Sequence, residues 1–136
     1  MEQIERCKRL LAQHGYSTTQ PRVAVFEALA AAADPISITE LASQLTDVDR
    51  VSVYRTVDIF EKVGIAQRVW SGFKSRVELS EAFSPHHHHF TCSKCGATIG
   101  LHSERLEQEL AGLEKEHGFE LTGHSIELSG FCINCR

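Results

Sequence analysis

Two pairs of cysteines are the clearest chemical feature of this sequence. Cys92 and Cys95 form the first pair and Cys132 and Cys135 the second, with 36 residues between the pairs. A Cys-x-x-Cys segment can turn two thiolates onto one ion, and a closed tetrahedral set of soft thiolates favours zinc. The sequence therefore predicts a structural zinc site with these four ligands; disulfides, an iron centre or free thiols are the alternatives.

The separation between the pairs indicates what surrounds the zinc. Compact zinc ribbons separate their cysteine pairs by ~15–20 residues, so the longer separation here predicts an inserted helix and strands. The zinc would then clip the C-terminal end of its domain to the first strand of that domain. The fifth cysteine, Cys7, falls on the apolar face of a predicted helix, and we expect it to be a core residue.

A run of four histidines, from His86 to His89, precedes the first cysteine pair. An isolated run of this kind could be an accident in a solvated segment. On a strand, side chains alternate between two faces, so His86 and His88 would point one way while His87 and His89 point the other. One strand could then supply two imidazoles to each of two metal sites, and neutral imidazole suits zinc, iron, nickel and copper alike.

Two ligands do not complete a metal site, so others must come from elsewhere in the chain. Glu107 falls in the first turn of the next predicted helix, and His124 falls in the turn before the last predicted strand. Glu78 stands at the end of a predicted hairpin. Taken singly, each of the three is better explained as a helix-surface, loop or strand-edge residue than as a metal ligand.

The elements that precede the histidines are several short helices and then a hairpin. Ser37 begins a capping-box pattern, Asp49 is placed to cap a helix, and Gly64 would end that helix. The hairpin joins β-rich runs over 65–70 and 76–79 across Ser71, Gly72, Phe73 and Lys74. This order is typical of a winged helix-turn-helix. Apolar spacing predicts helices over 3–14, from Thr19 to about Asp34, from Ser37 to about Leu45, and over 50–63.

The pattern changes after a short linker, which we predict to be a hinge over 81–85. A helix capped by Ser103 and ended by Gly118 lies among short strands, which predicts a second domain. The predicted fold class is therefore α+β, with a winged helix-turn-helix over 1–80 and a C-terminal domain over 86–136. Its strands are predicted over 86–92, 98–101, 119–121 and 125–131.

The net charge of −4 argues against nucleic-acid binding, but this charge is unevenly distributed. Residues 1–80 hold ten Lys/Arg and ten Asp/Glu, whereas residues 81–136 hold four and eight. Because only a docking face must be positive, DNA binding stays compatible with the composition. No apolar run approaches the ~20 residues that cross a bilayer, and the first residues are not a secretory signal. We therefore expect a cytoplasmic chain with no membrane partner, where thiols stay reduced.

Together these motifs resemble those of the ferric uptake regulator (Fur) superfamily, which includes iron, zinc, manganese and nickel sensors and peroxide sensors. The resemblance covers nearly the whole chain. Its combination of a Val-Tyr-Arg stretch with the histidine run and paired cysteines is highly specific. The matching stretches are Thr19–Arg22, Ser52–Val57, His86–His89, Cys92–Gly96, His117–Phe119, His124–Glu127 and Gly130–Cys135.

The resemblance implies three metal sites and a homodimer. The four cysteines match the structural zinc site of a C-terminal α/β dimerisation domain, which holds a second site as well. A regulatory site lies between the two domains of the family. The second site is matched by His86, His88, Glu107 and His124, and the regulatory site by Glu78, His87 and His89.

The resemblance also implies a metal-dependent repressor that binds a double-stranded DNA operator and controls metal homeostasis. Metal at the regulatory site would fix the spacing of two recognition helices, so that both reach successive major grooves ~34 Å apart. Tyr54 and Arg55 match positions that face the major groove, and Ser52 shares the polar face of the same predicted helix. We expect phosphate contacts from Arg22, Lys74 and Arg76.

Three departures from the family pattern bear on which metal is sensed. The loop before Ser37 lacks a histidine that many iron sensors have, and Gly100 stands where peroxide sensors have an aspartate. Glu78 stands where zinc sensors often have a cysteine, and His102 or a water could complete the regulatory site. The imidazole-rich ligand set favours zinc, in a Zur-like member, as the second metal ion; an iron- or manganese-responsive regulator or a peroxide sensor is the alternative.

Two other classes of protein compete with this interpretation. A metalloenzyme would need an open coordination position, a general base and a substrate pocket, and the sequence supplies no separate nucleophile or substrate loop. A zinc-ribbon interaction module would have no use for the capped helices, the Val-Tyr-Arg stretch and the hairpin. We therefore predict a regulator and not an enzyme.

Overall fold

The structure, a computed structural model, describes residues 1–71 and 73–136. The described chain divides into two compact units, Met1–Pro85 and His86–Arg136. Their order of helices and strands confirms the predicted α+β fold class. The elements are α1 (Glu2–Gln13), α2 (Gln20–Ala31), α3 (Ile38–Gln44), α4 (Arg50–Val63), β1 (Ala66–Ser71), β2 (Lys74–Leu79), β3 (His88–Cys92), β4 (Thr98–Leu101), α5 (Glu104–His117) and β5 (Glu127–Gly130).

Side-chain caps fix where the helices of the first unit begin. The Ser37 hydroxyl accepts a hydrogen bond from the Glu40 N–H, and the Asp49 carboxylate accepts one from the Ser52 N–H. Such caps satisfy N–H groups that the helix leaves without partners. Helix α4 ends at Gly64, whose φ of 82° is the left-handed conformation that glycine adopts at helix ends.

The core of the first unit lies between the helices and the hairpin. Helix α4 turns Val53, Val57 and Phe60 into this core, and all three are fully buried. Cys7 of α1 is buried in the same cluster, as predicted. Because the apolar residues of α4 face inward, its opposite face is left to polar side chains and solvent.

Strands β1 and β2 form the antiparallel hairpin of a winged helix, with Ala66 opposite Leu79. The predicted second strand was too short, because β2 begins at Lys74, which we had expected in the turn. Ile36 adds a backbone bridge to Val77, which attaches the segment before α3 to the hairpin. The predicted turn glycine, Gly72, lies outside the described residues.

The segment 81–85, predicted as a hinge, belongs to the first unit. Phe83 is buried, and its ring contacts Phe26 edge-on, with centroids 5.2 Å apart. The Phe83 carbonyl accepts a hydrogen bond of 2.8 Å from the side chain of Gln3. These contacts anchor the segment to the helical core, and a bend of the chain at this place stays a prediction.

The second unit is a three-stranded sheet with one long helix. Strand β3 is central, pairing antiparallel with β4 and parallel with β5. Ser103 caps α5, and Gly118 ends it with a φ of 74°. The first strand begins at His88, two residues later than predicted, and the last one covers only Glu127–Gly130. The prediction of a strand over 119–121 was wrong, because this segment forms an irregular return from α5.

No helix in the described ranges 1–71 and 73–136 is both long and apolar enough to cross a membrane.

We expect Phe60→Ala to lower the free energy of unfolding of the first unit by about 3–5 kcal/mol, because it leaves a cavity in a fully buried site. Val51→Ala is the matched control, since Val51 lies on the same helix and is 58% exposed. Denaturant unfolding followed by circular dichroism and by the fluorescence of Trp70, the one tryptophan in the sequence, measures the difference. Equal unfolding midpoints for the two variants would contradict this description of the core.

Candidate metal centres

The four predicted zinc ligands meet where β3 and β5 end. Cys92 is the last residue of β3 and pairs in register with Gly130, the last residue of β5. The two neighbouring strands therefore bring Cys92 and Cys95 to the same place as Cys132 and Cys135. All four sulfur atoms lie within 4.8 Å of one another.

The spacing of these sulfur atoms matches a tetrahedral zinc site. Sγ of Cys95 lies 3.8 Å from Sγ of Cys132. Four sulfurs ~2.3 Å from a zinc ion would be about 3.8 Å apart, whereas a disulfide requires ~2.05 Å. After Cys95 the chain reverses through Gly96, whose φ of 77° suits glycine. The cluster therefore fits a structural zinc ion with a closed coordination shell.

The thiols of the cluster differ in acidity. Backbone N–H groups of Cys95 and Cys132 donate to Cys92 Sγ and lower the pKa of that thiol to about 6. Hydrogen bonding with Cys132, followed by burial, raises the pKa of the Cys135 thiol to about 12. Four thiolates this close repel one another, so full ionisation calls for a cation in their midst. Binding of zinc would therefore release protons.

A second cluster combines three imidazoles with one carboxylate inside the second unit. His88 Nε2 lies 2.6 Å from Glu107 Oε1, and His124 Nε2 lies 2.8 Å from Glu107 Oε2. The Nε2 atoms of His86 and His124 are 3.0 Å apart. Hydrogen bonding with His88, more than any other contact, lowers the pKa of the Glu107 carboxyl.

Separate elements carry these four ligands to one point. His86 precedes β3, His88 begins it, Glu107 lies in the first turn of α5, and His124 lies in the return before β5. Nitrogen and oxygen ligands ~2.0–2.1 Å from a metal in a tetrahedron would be about 3.3–3.4 Å apart. The observed separations, from 2.6 to 3.7 Å, lie on both sides of that value. The donor set therefore fits a transition-metal ion.

The other two histidines of the run lie side by side in the second unit. The rings of His87 and His89 have centroids 4.9 Å apart. His89 is buried, and its Nδ1 lies 3.3 Å from Glu127 Oε1. A Cβ atom added to Gly100 would lie 3.3 Å from His87 Cδ2, so the glycine leaves room for this imidazole.

The remaining residues of the predicted regulatory site have contacts of their own. Glu78 lies on β2 in the first unit, where its carboxylate accepts a hydrogen bond of 2.8 Å from Gln67. His102 Nδ1 lies 3.2 Å from the carbonyl oxygen of His86. The predicted set of Glu78, His87 and His89 draws on both units and stays a prediction, as does His102 as a further ligand.

The predicted DNA-contacting residues of α4 occupy its polar face. Arg55 is exposed and Tyr54 is 38% exposed, with the Tyr54 hydroxyl 3.4 Å from Thr39 Oγ1. The Ser52 hydroxyl donates to Asp49 at 2.6 Å, so it also serves the helix cap. Sequence reasoning missed Arg68 on β1. Its guanidinium forms ion pairs with Asp58 and Glu61 of α4, and these pairs hold the hairpin against the helix.

Three basic residues were predicted to contact phosphates. Lys74 is exposed at the start of β2, and Arg76 is half-buried on the same strand. Arg22 donates to the carbonyl of Ser17 and lies over the ring of Tyr16, at 5.5 Å from the centroid. Arg22 therefore orders the loop between α1 and α2, and its contact with phosphate stays a prediction.

A comparison with known sequences identifies the family. The sequence profile described as "Ferric uptake regulator family" matches residues 13–129. The chain belongs to that family. Membership makes it a metal-responsive transcription regulator in a family of DNA-binding repressors.

Individual Fur-family proteins support the assignment. The ferric uptake regulation protein of Yersinia pestis is 34% identical over 94% of this chain and 90% of its own length. The crystal structure of the Vibrio cholerae ferric uptake regulator has a TM-score of 0.72 at 32% identity, covering 92% of this chain and 98% of that one. A zinc uptake regulator in complex with zinc and DNA has a TM-score of 0.60 at 26% identity, covering 98% and 92%.

We expect Cys95→Ser to lose the tightly held zinc and to unfold the second unit, because the free energy of binding at such a site is largely folding free energy. Cys7→Ser is the control: burial raises the pKa of the Cys7 thiol to about 11, and the residue lies in the core of the first unit. Zinc content and thermal unfolding measure the outcome. If neither Cys95→Ser nor the parent held zinc and both melted alike, the zinc assignment would be wrong.

Proposed function

We propose that this Fur-family chain is a zinc-responsive repressor that binds operator DNA as a homodimer in the cytoplasm. The observation that carries the proposal is the placement of the histidine run. His86 and His88 of this run join Glu107 and His124 in one cluster. His87 and His89 lie side by side and would hold another ion. Ligand sets this rich in imidazole suit zinc. Gly100 stands where peroxide sensors of the family have an aspartate, so that carboxylate is missing here.

In the proposed mechanism, one ion couples the metal-binding domain to the winged helix. His87 and His89 would hold it from the second unit, and Glu78 would hold it from β2 of the first. Each anchor is firmly set, because His89 lies in the central strand and Glu78 is hydrogen-bonded to Gln67. Metal favours the DNA-binding arrangement only if that arrangement binds it more tightly than the alternatives do.

The polar face of α4 would then read the DNA. Arg55 would make a bidentate contact with a base edge, and Tyr54 an apolar contact with a thymine methyl. Lys74, Arg76 and Arg22 would position the protein on phosphates, which carry no direct sequence information. A dimer places two such helices in successive major grooves.

A second candidate is an iron-responsive regulator, since the Yersinia pestis relative is named for ferric uptake. Manganese and peroxide sensing are further possibilities within the family. In the affinity order of divalent metals, Fe²⁺ binds a nitrogen-rich site more weakly than Zn²⁺ does. The sensed metal therefore has to be identified by its effect on DNA binding and not by its affinity alone.

We expect zinc to tighten DNA binding about 5- to 150-fold, the usual range of coupling between two sites. Protein that keeps its cysteine-bound zinc is stripped of exchangeable ions by mild chelation, and a duplex is selected from a random library in the presence of Zn²⁺. Fluorescence anisotropy with that duplex then compares Zn²⁺, Fe²⁺ and Mn²⁺ at buffered concentrations. One retained zinc per chain plus one or two exchangeable ions is the expected stoichiometry.

Equal DNA affinity for stripped and loaded protein would end the switch hypothesis. A response confined to Fe²⁺ or Mn²⁺ would leave the switch but reject zinc as its signal. Oxidation of histidines in the 86–94 segment when iron-loaded protein meets peroxide, read by mass spectrometry, would instead establish a peroxide sensor.

We expect Arg55→Ala to weaken binding to the selected duplex by about 1–3 kcal/mol and to relax its sequence preference, because a base contact is lost. Arg105→Ala, which removes the same charge from an exposed position on α5, is the matched control. Anisotropy with the selected duplex and with a scrambled one measures both effects. Similar losses for the two variants would show that α4 is not the reading helix.

A further inference from the structure

Trp70 is a large aromatic side chain that the core of the first unit does not use. It is the last residue but one of β1, and it is 61% exposed. Phe73, three residues further along the chain, is fully exposed as well. Scattered exposed apolar residues are ordinary, whereas neighbouring ones mark a surface that binds something.

The alternation of β1 directs Trp70 to the face of the hairpin that carries Arg68, because every second residue of a strand shares a face. The Arg68 guanidinium forms the ion pairs with Asp58 and Glu61 of α4. Its Nη1 also donates to Ser75 Oγ at 3.3 Å, and Ser75 is the partner of Trp70 in the hairpin register. These contacts fix the strand next to Trp70 against the helix.

Strand β1 runs back along α4, because Arg68 binds helix residues seven and ten positions before it. Two residues of a strand advance about 6.6 Å, a little more than one helical turn of about 5.4 Å. One turn back from Asp58 is Tyr54, on the same stripe of the helix. The geometry therefore places Trp70 level with the turn of α4 that carries Tyr54 and Arg55.

This part of the chain is basic although the whole chain carries a net charge of −4. Residues 66–77 contain Arg68, Lys74 and Arg76 and no acidic residue, and residues 50–57 contain two arginines and no acidic residue. Arg68 is neutralised by its partners on α4, which leaves Lys74 and Arg76 to attract an anion. A positive surface beside an exposed aromatic ring suits the backbone of DNA.

We propose that Trp70 packs against the sugar–phosphate backbone of DNA beside the groove that α4 reads. An indole offers a large apolar face to a deoxyribose and an N–H donor to a phosphate oxygen. The inference rests on the proposed reading of DNA by α4 and adds a contact from β1. Because every sequence has the same backbone, this contact strengthens binding without choosing the sequence.

Intrinsic fluorescence tests the contact directly, because Trp70 is the one tryptophan in the sequence. The full chain loaded with Zn²⁺ is titrated with the duplex selected above, and its emission is quenched with acrylamide. We expect the duplex to protect Trp70 from acrylamide. As a control, Trp70→Phe combined with Phe119→Trp moves the indole to a position of the second unit where Phe119 is 47% exposed. DNA should leave the quenching of that variant unchanged.

Binding affinities test what kind of contact Trp70 makes. We expect Trp70→Ala to weaken binding to the selected and the scrambled duplex by the same factor, about 5- to 30-fold, as is usual for a tryptophan at an interface. Trp70→Phe should retain most of the affinity, because the aromatic ring is kept. The melting temperature should stay at the parent value in both variants, since the side chain is mostly exposed.

Arg55→Ala distinguishes failure of the inference from failure of the proposed function. If Arg55→Ala weakens binding while Trp70→Ala binds as the parent does and DNA does not protect Trp70, the inference is wrong and α4 remains the reading helix. If the zinc-loaded parent binds neither duplex, the proposed function fails and the inference with it.

Two further results would also overturn the inference. A loss confined to the selected duplex in Trp70→Ala would show that the side chain reads bases and not the backbone. A change in the sedimentation of DNA-free Trp70→Ala relative to the parent would show that this surface binds a second copy of the chain.

Discussion

Backbone hydrogen bonds to β4 on one side and β5 on the other fix the direction of every side chain on β3. Because neighbouring residues of a strand point to opposite faces, His88 and His89 serve different surroundings although they are adjacent in sequence. The end of the same strand delivers Cys92 to the cysteine cluster. Among the residues that the structure describes, this five-residue strand therefore contributes to both ligand clusters of the second unit and carries His89 of the predicted regulatory set.

The second unit depends on these ligands because it has little else inside. Its buried residues are largely polar or ligating, and α5 buries none of its own. A unit of this size buries too little apolar surface to fold comfortably alone, and small domains of this kind usually rely on bound metal or on oligomerisation. Its buried residues are His88, His89, Thr91, Cys92 and Thr98, and its exposed large apolar residues are Ile99, Leu113, Phe119, Leu121, Leu128, Phe131 and Ile133.

Local rules were enough to predict much of this chain. The caps at Ser37, Asp49 and Ser103 involve residues three positions apart, and the helices begin where these patterns indicate. The spacing within each cysteine pair is equally local, and chemistry alone joins the two pairs. Alternation along β3 needs nothing beyond the geometry of a strand.

Local patterns did not show the contacts between distant parts of the sequence. Segment 81–85 was predicted as a linker where the pattern changes, and one aromatic residue, Phe83, anchors it in a core that no local pattern reveals. Glu127 was part of a recognised stretch, yet its place beside His89 follows from a parallel register across 38 residues. Arg22 was predicted to contact phosphate, and no local pattern showed that it also donates to the carbonyl of Ser17.

The adjacency of His88 and His89 on β3 limits how the two groups of ligands can change in evolution. His88 and His89 are consecutive residues of one hydrogen-bonded strand, so a shift of that backbone moves both side chains, although they lie on opposite faces. Metal preference at one cluster is therefore difficult to alter by mutation of this strand without disturbing the other. Descendants of this chain would diversify more readily at the partners that lie on separate elements, Glu107, His124, Glu127 and Gly100, where one ion can be retuned while its neighbour stays as it was.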